Sequence, residues 1–558
     1  MIALAICVAV SLFAIFPLTD TDIWWHLACA REWVTTWTPV REPVVNVHEY
    51  FQQVVAFVYD IGDAPLLVAF KAILWGIVFA LFLHRAKCRN WVVVACVAIL
   101  LFIFRYQFEI RPVLFSMLFL GIYWNVLPWL FYGWRDEHKG SRSTQAKKFH
   151  FVFRKVFHDI TISYKFLGVL VVLFIQWIWC KSQGLFILGL IFAYGFFLYG
   201  LWFRRWGNFG KVRQWKGVRI PFRTLAWQTL FVILLFIMPV FHRDGFNLLP
   251  YPFGLLDRLL GLSPSAMVFA TEIAENRSPI TLLLNGENVL QSVLMLVLCV
   301  GGIVLAAVRW HLQPAPYSSW QLSWQVKERV EAIFVRRLQP SWLFITAVLA
   351  LLAERNFVLF LPVFLAVLLQ FSWRHTSFKL QVKNRHVKNL QRLSSKLRLK
   401  NRLAEKSKNT SDTLLAALVV AFLLGLWVKS VLSYDSMVAY QRVPVAAAHW
   451  MMENPHPGRL FNDDRAGGYL AFMNPLDSTY IDGRFILKTA EFFERYLEYA
   501  KTPQLFLRDA ELQDIDRVVL PLRYYARWDK LIAALDSSEK WHVGYRDSLF
   551  VVMDRTQY

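Results

Sequence analysis

Apolar runs near the roughly 20 residues needed to cross about 30 Å of hydrocarbon recur along the first three quarters of the chain. They fall at about 2–18, 64–83, 91–104, 113–132, 166–179, 184–203, 224–242, 289–308, 341–353, 357–373 and 413–433. The pattern predicts a polytopic α-helical membrane domain over residues 1–433 with about eleven transmembrane helices, give or take about one or two. The uncertainty comes from 91–104, 166–179 and 341–353, which are short enough to be tilted hairpin partners or half-buried helices.

The polar positions between the runs set the orientation. Lys and Arg crowd into every second loop: Arg85 to Arg89, 133–165, 204–223, 309–340 and 374–412. Cytoplasmic loops carry that excess, so the N-terminus is expected inside and residues 434–558 outside. The most basic stretch, Lys379 to Lys408, interleaves leucines and valines with cations and is expected to lie on the inner leaflet as an amphipathic helix. The first run has no Lys or Arg before it and no cleavage site after it, so it is expected to be retained as a span.

Composition narrows the class. A chain 57% hydrophobic, with mean hydropathy +0.40, exposes too much apolar surface for a soluble globule, and its solvent is the bilayer. The net charge of +22 lies in the inner loops, where it holds topology and meets anionic headgroups, so no nucleic-acid partner is expected. Six cysteines without a C-x-x-C spacing indicate neither a disulfide framework nor a zinc site. Asn276-Arg277-Ser278 matches a glycosylation sequon.

Candidate chemistry sits in the expected outer loops. The first, 19–63, is acidic and opens on Asp20 and Asp22, which on an extended segment would face one side and could hold a divalent cation or act as a base. Asp22 is equally readable as the cap of a following helix, with Trp24 and Trp25 in the interfacial aromatic belt. Glu109 and Arg111 can pair with each other before the next span. The loop 243–288, with Glu275 and Arg277, has medium-length apolar pieces that suggest re-entrant segments. Glu354-Arg355-Asn356 is a charged triplet in a tight hairpin, either a local ion pair or an anion-binding arginine.

From Val443 onward shorter apolar runs alternate with polar helical stretches. Strands are expected at 458–462, 478–481 and 517–520, helices at 467–473, 488–499 and 526–535, and a closing hairpin at 541–553, giving a small α/β domain over 434–558. Gly467-Gly468 is either an anion nest or a tight strand-to-helix turn, and Asp482-Gly483-Arg484 either faces the membrane site or forms a β-turn with a local ion pair.

Several stretches together resemble the GT-C superfamily of polyprenyl-phosphate-sugar-dependent glycosyltransferases, in particular a bacterial branch. They are Asp20 to Leu27, Arg111 to Phe115, Gln183 to Gly189, Asn247 to Tyr251, Glu275 to Pro279, Arg355 to Phe360, Gly467 to Leu470 and Tyr480 to Arg484. Where many such relatives have Asn-x-His-Gly, this chain has Lys181-Ser182-Gln183-Gly184. The resemblance implies a polyprenyl-phosphate-linked sugar bound from the outer leaflet of a bacterial inner membrane. It implies Asp20 and Asp22 as catalytic base or as ligands of Mg or Mn. Arg355, with Arg111 and Arg277, would hold the donor phosphate, and Trp24, Trp25, His26, Glu275, Tyr469, Asp482 and Arg484 are candidate substrate contacts. The acceptor is left open.

Two other classes compete. A transporter would place charges near the bilayer midplane and show internal repeats, whereas Lys71 is nearly alone in mid-span and no repeat is found. A non-catalytic GT-C-like envelope assembly protein would not need both carboxylates.

Overall fold

The computed structural model describes the chain apart from residues 133–165, 207–221, 312–337 and 371–413, the short stretches 33–34, 41–44, 415–416, 434–435, 485–486 and 557–558, and positions 1, 87, 89 and 525. The expected surface helix at 379–408 and most of the basic inner loops lie outside the described residues.

The described part of residues 1–433 is a helical assembly. Helices Glu49–Leu83, Pro112–Phe131 and Val289–His311 are long and apolar enough to cross a membrane. A bent pair, Leu225–Phe241 with Gly245–Arg258 at 109°, adds a fourth if taken as one broken span. Most other expected spans are helices of 10–17 residues: Ile2–Phe13, Trp91–Ile103, Phe166–Cys180, Phe186–Tyr199, Gln339–Leu352 and Ala417–Leu432. The expected positions are therefore helical and apolar, while eleven full-length spans are not what the described residues show. On Val289–His311, Val297, Val300 and Val304 are exposed, the apolar surface a bilayer solvates.

Glu49–Leu83 departs most from expectation, because its first half lies where loop was predicted. At 35 residues it is about 50 Å long, well beyond the hydrocarbon thickness. It breaks at Gly62 and Asp63, the latter at φ 51°, and Pro65 follows. Proline has no N–H for the helical ladder, and an aspartate at positive φ interrupts it. The membrane-length part starts just after the break, at the boundary expected from sequence.

Residues 443–558 carry a mixed four-stranded sheet: β1 (Arg459–Asn462), β2 (Ile515–Pro521), β3 (Trp541–Arg546) and β4 (Phe550–Arg555), in the order β1-β2-β4-β3. β1 and β2 are parallel, so the chain between them crosses over through helices Asp464–Met473, Ala490–Lys501 and Pro503–Leu512. β2 is buried along its whole length. Val519 joins the core shared with the membrane helices, whereas Val518 and Leu520 join Phe461, Tyr496, Phe506 and Trp528, as a two-residue period requires. The strand expected at 478–481 is not in the sheet. Thr479 instead makes an isolated parallel bridge to Thr36.

Candidate active site

Leu18 donates its amide to the Met437 carbonyl at 2.8 Å, which anchors the start of the first polar loop. The next residue, Thr19, donates its hydroxyl to Glu109 and accepts at its carbonyl from Arg442 Nη1 at 3.0 Å. Asp20 follows, buried at 6% exposure. Its two oxygens accept from Nε and Nη2 of Arg111, the latter at 2.9 Å. Arg111 precedes Pro112, whose fixed φ starts helix Pro112–Tyr132, so the cation stands at a helix N-terminus, against the macrodipole. A second carboxylate offsets that: Glu275 accepts from Nη1 at 2.7 Å and Nη2 at 2.8 Å. Burial pushes Glu275 upward, but the Arg111 charge and its hydrogen bonds outweigh this and hold the carboxyl down at about 2.

Asp20, Arg111 and Glu275 thus converge from three distant stretches. The pairing of Glu109 with Arg111 considered from sequence does not occur. Glu109 faces Lys71 at 3.7 Å, and Lys71 also donates to the Phe16 carbonyl at 3.1 Å.

Asp22 is not the partner of Asp20 on an extended strand. Thr21 has right-handed helical angles and Asp22 is the first residue of helix Asp22–Arg31, with its amide donating to Asp20 Oδ1 at 3.2 Å. The period-two argument fails because the chain turns here rather than extends. Asp22 is half-buried, and burial together with the charge of Asp20 raises its carboxyl to about 7. One carboxylate is therefore gripped by arginine on both oxygens, and its neighbour is poised to exchange a proton near neutrality.

Among the other arginines expected at a donor phosphate, Arg355 is exposed on the turn Glu354–Asn356 and donates to the neutral Asn276 side chain at 3.0 Å, next to Glu275. Arg277 is engaged in a two-pronged pair with Glu287 at 2.7 and 2.8 Å. Arg465, from the C-terminal region, adds positive charge near Glu275. Arg442 and Arg465 both face the Tyr524 ring, at 4.9 and 5.7 Å. Neither was singled out as a site residue, since no motif marks a lone arginine more than 150 positions beyond its neighbours. Asn276, part of the sequon, is buried, and its amide nitrogen donates to the Phe269 carbonyl at 3.0 Å.

The candidate substrate contacts of the first loop are packing residues in this arrangement. Trp24 lies edge-on to Tyr469 at 4.8 Å and against Phe472 at 5.5 Å. His26 packs between Trp25 and Phe51. Burial lowers both neighbouring imidazoles, His48 to about 4 and His26 also downward, so both are neutral. This contact explains Gly467 and Gly468, which lie inside helix Asp464–Met473 rather than in an anion nest. A Cβ on Gly468 would stand 2.8 Å from the Trp25 amide nitrogen, and one on Gly467 would strike the Ile481 carbonyl. Close approach of the two helices requires Gly468, and close approach of the Ile481 backbone requires Gly467.

Asp482 and Arg484 form a buried pair at 2.7 Å. Thr35 donates to Asp482 at 2.7 Å and lies against Arg484. Burial raises Asp482, but Arg484 prevails and lowers it. Lys488 donates to Thr36 Oγ1, Thr38 Oγ1 and the Thr38 carbonyl at 2.8–3.0 Å. These residues fasten the first loop to the C-terminal domain. Between Asp482 and Arg484, Gly483 abuts Asp22 and Trp25 closely enough that a Cβ would collide with the Asp22 carboxylate.

A divalent cation on Asp20 and Asp22 does not fit this donor set. Magnesium or manganese needs several oxygens around it, and the Asp20 oxygens are taken by the Arg111 guanidinium. No three His, Cys, Asp or Glu side chains among the described residues converge as a metal site. Arg111 supplies the positive charge at this position.

The chain superposes on the apo crystal structure of the oligosaccharyltransferase from Archaeoglobus fulgidus with a TM-score of 0.50 and 13% identity, over 100% of this chain and 74% of that one. Two further structures of that organism's oligosaccharyltransferase match over the same shares. One is tethered to an acceptor peptide containing the NVT sequon (TM-score 0.48, 14% identity), and one is in complex with an inhibitory peptide and a dolichol-phosphate (0.44, 13%). No protein-family model and no curated protein matches the sequence. At this identity the likeness is one of fold.

Proposed function

We propose that this protein is an integral membrane glycosyltransferase that moves a sugar from a polyprenyl-phosphate donor to an envelope lipid or protein acceptor. The observation that carries the reading is the convergence of Asp20, Arg111 and Glu275, with Asp22 adjoining, in a fold shared with an oligosaccharyltransferase. Asp22 is the base: its carboxyl, raised to about 7, takes the proton from the acceptor O–H or N–H. The acceptor atom then bonds to the anomeric carbon as the bond from that carbon to the phosphate oxygen breaks. The electron pair leaves on the polyprenyl phosphate. Arg355, exposed and bonded to a neutral amide, receives that charge as a planar fork, with Arg111 beside it. Asp20 and Glu275 position Arg111.

The membrane is the inner membrane of a bacterium, with the N-terminus cytoplasmic and residues 434–558 periplasmic, in keeping with the alternating basic loops. The test is incorporation of sugar from polyprenyl-phosphate donors by purified protein, with Asp20→Asn and Asp22→Asn alongside. The expected loss is on the order of 10²–10⁴ in rate for Asp22→Asn. Full activity in the double variant overturns the site, and absence of transfer by wild type with every donor overturns the activity.

A further inference from the structure

A cavity of about 280 Å³ shares no residue with the Arg111 cluster. Cys29 and Ala30 from helix Asp22–Arg31 form one wall, the start of Glu49–Leu83 a second, and the turn at His242 to Asp244 a third. Cys29 follows Asp22 by seven residues, which returns to the same helix face about 10 Å further along. The cavity is therefore close to Asp22 while being chemically separate from it.

Its polar lining is Asn46, Glu49, Gln52, Gln53, His242, Arg243 and Asp244, with the His242 ring against the Asp244 carboxylate at 3.1 Å. The two carboxylates disfavour an anion. The guanidinium disfavours a cation, and no metal-binding cluster occurs among the described residues. So dense a set of amides and acids disfavours an apolar ligand. What remains is a neutral molecule that donates and accepts from the same atoms, as adjacent hydroxyls do, and planar amide and carboxylate groups pair with these two at a time. The wall is also set in advance. Asn46 Nδ2 donates to Gln52 Oε1 at 2.9 Å while Asn46 Oδ1 accepts from the His48 amide at 3.1 Å. With its oxygen so engaged, Gln52, only 1% exposed, has an Nε2 without a hydrogen-bond partner among the described residues. A buried amide N–H₂ of this kind calls for an acceptor.

We infer that this cavity is a saccharide-binding subsite, taking one hydroxyl-rich ring through Gln52, Asn46 and the flanking acids. The inference rests on the lining and not on the transferase reading, and its test uses no turnover. Full-length protein in nanodiscs is titrated with the methyl glycosides of glucose, galactose, mannose, N-acetylglucosamine and arabinose, and binding is followed by saturation-transfer-difference NMR. At least one glycoside should saturate, and its affinity should fall about tenfold or more when one or two hydrogen bonds are removed in Gln52→Leu. Because Gln52 is buried, Gln53→Ala and Asp244→Asn, on more open parts of the wall, carry the same test if the leucine variant does not fold. Inorganic phosphate and magnesium chloride should neither bind at these residues nor compete. The proposal is overturned if no glycoside binds folded wild type up to about 50 mM. It is equally overturned if binding is unchanged in all three variants, or if phosphate or magnesium displaces the sugar.

Discussion

Arg111 and Asp20, 91 positions apart, meet through two parallel hydrogen bonds, and the opposite edge of the same guanidinium holds Glu275. A single planar cation therefore ties together the first polar loop, the start of a membrane helix and the 243–288 loop. Planarity is what allows two carboxylates to be gripped at once.

Arg111→Lys retains the charge but not the fork. Sugar transfer is expected to fall by about 10²-fold or more, as when a positioned electrostatic group is lost from an active site. Donor-transfer kinetics on protein matched for thermal stability test this, and wild-type turnover in the lysine variant would refute the positioning role.

The pH profile follows from Asp22. Only its ionised form accepts a proton, so transfer should rise with pH through about 7 and level off above it. Stability runs the other way. The folded state holds the Asp22 proton up to about 7 whereas the ordinary carboxyl releases it at 3.8, so stability from this group is full below 3.8 and declines as pH rises toward 7. Asp22→Asn should thus melt higher than wild type at pH 8 and equally at pH 3.5, while losing activity. An unchanged melting difference across that range would exclude the raised pKa.

Asp20, Arg111, Glu275 and Arg355 are each readable one by one as candidates, since each sits in a polar island beside an apolar run. Their partners are not. Glu109 is two positions from Arg111, yet on the folded chain it turns to Lys71 on another helix, a choice made by tertiary packing and invisible to spacing. Thr479 has the β-branched neighbourhood of a strand, but its partner strand is a fragment of the first loop, so only a bridge forms. In the C-terminal domain β1 and the helices beside it were legible from period and caps. The helix Pro503–Leu512 was not expected from sequence, although Pro503 in its first turn is a helix-start signal.

Gly483→Ala should act at a distance in sequence but not in space. The added methyl meets the Asp22 carboxylate, so the expected result is a lower kcat and a shifted pH midpoint, with donor KM little changed. An unaltered pH profile would show that Gly483 does not bear on Asp22.

Arg484→Gln leaves Asp482 buried without its cation. Breaking such a pair typically costs about 3–5 kcal/mol. Loss should appear first as faster hydrogen exchange at Thr35 to Thr38, the segment these residues hold. Equal exchange in both proteins would mean that the pair does not fasten the loop.

Orientation is testable with cysteines in a background lacking the natural six. Leu476, 94% exposed, should react from the outer side when replaced by Cys, and Leu390→Cys only from the inner side. The opposite pattern would invert the topology and the proposed site with it.

The bonds from Lys488 to Thr36 and Thr38 span 452 and 450 positions. During synthesis the first polar loop leaves the ribosome about 450 residues ahead of the lysine that secures it. At about 5–20 residues per second, the interval is tens of seconds. Through that time Asp20 and Asp22 lack their final surroundings, because the loop that carries them is not yet fastened.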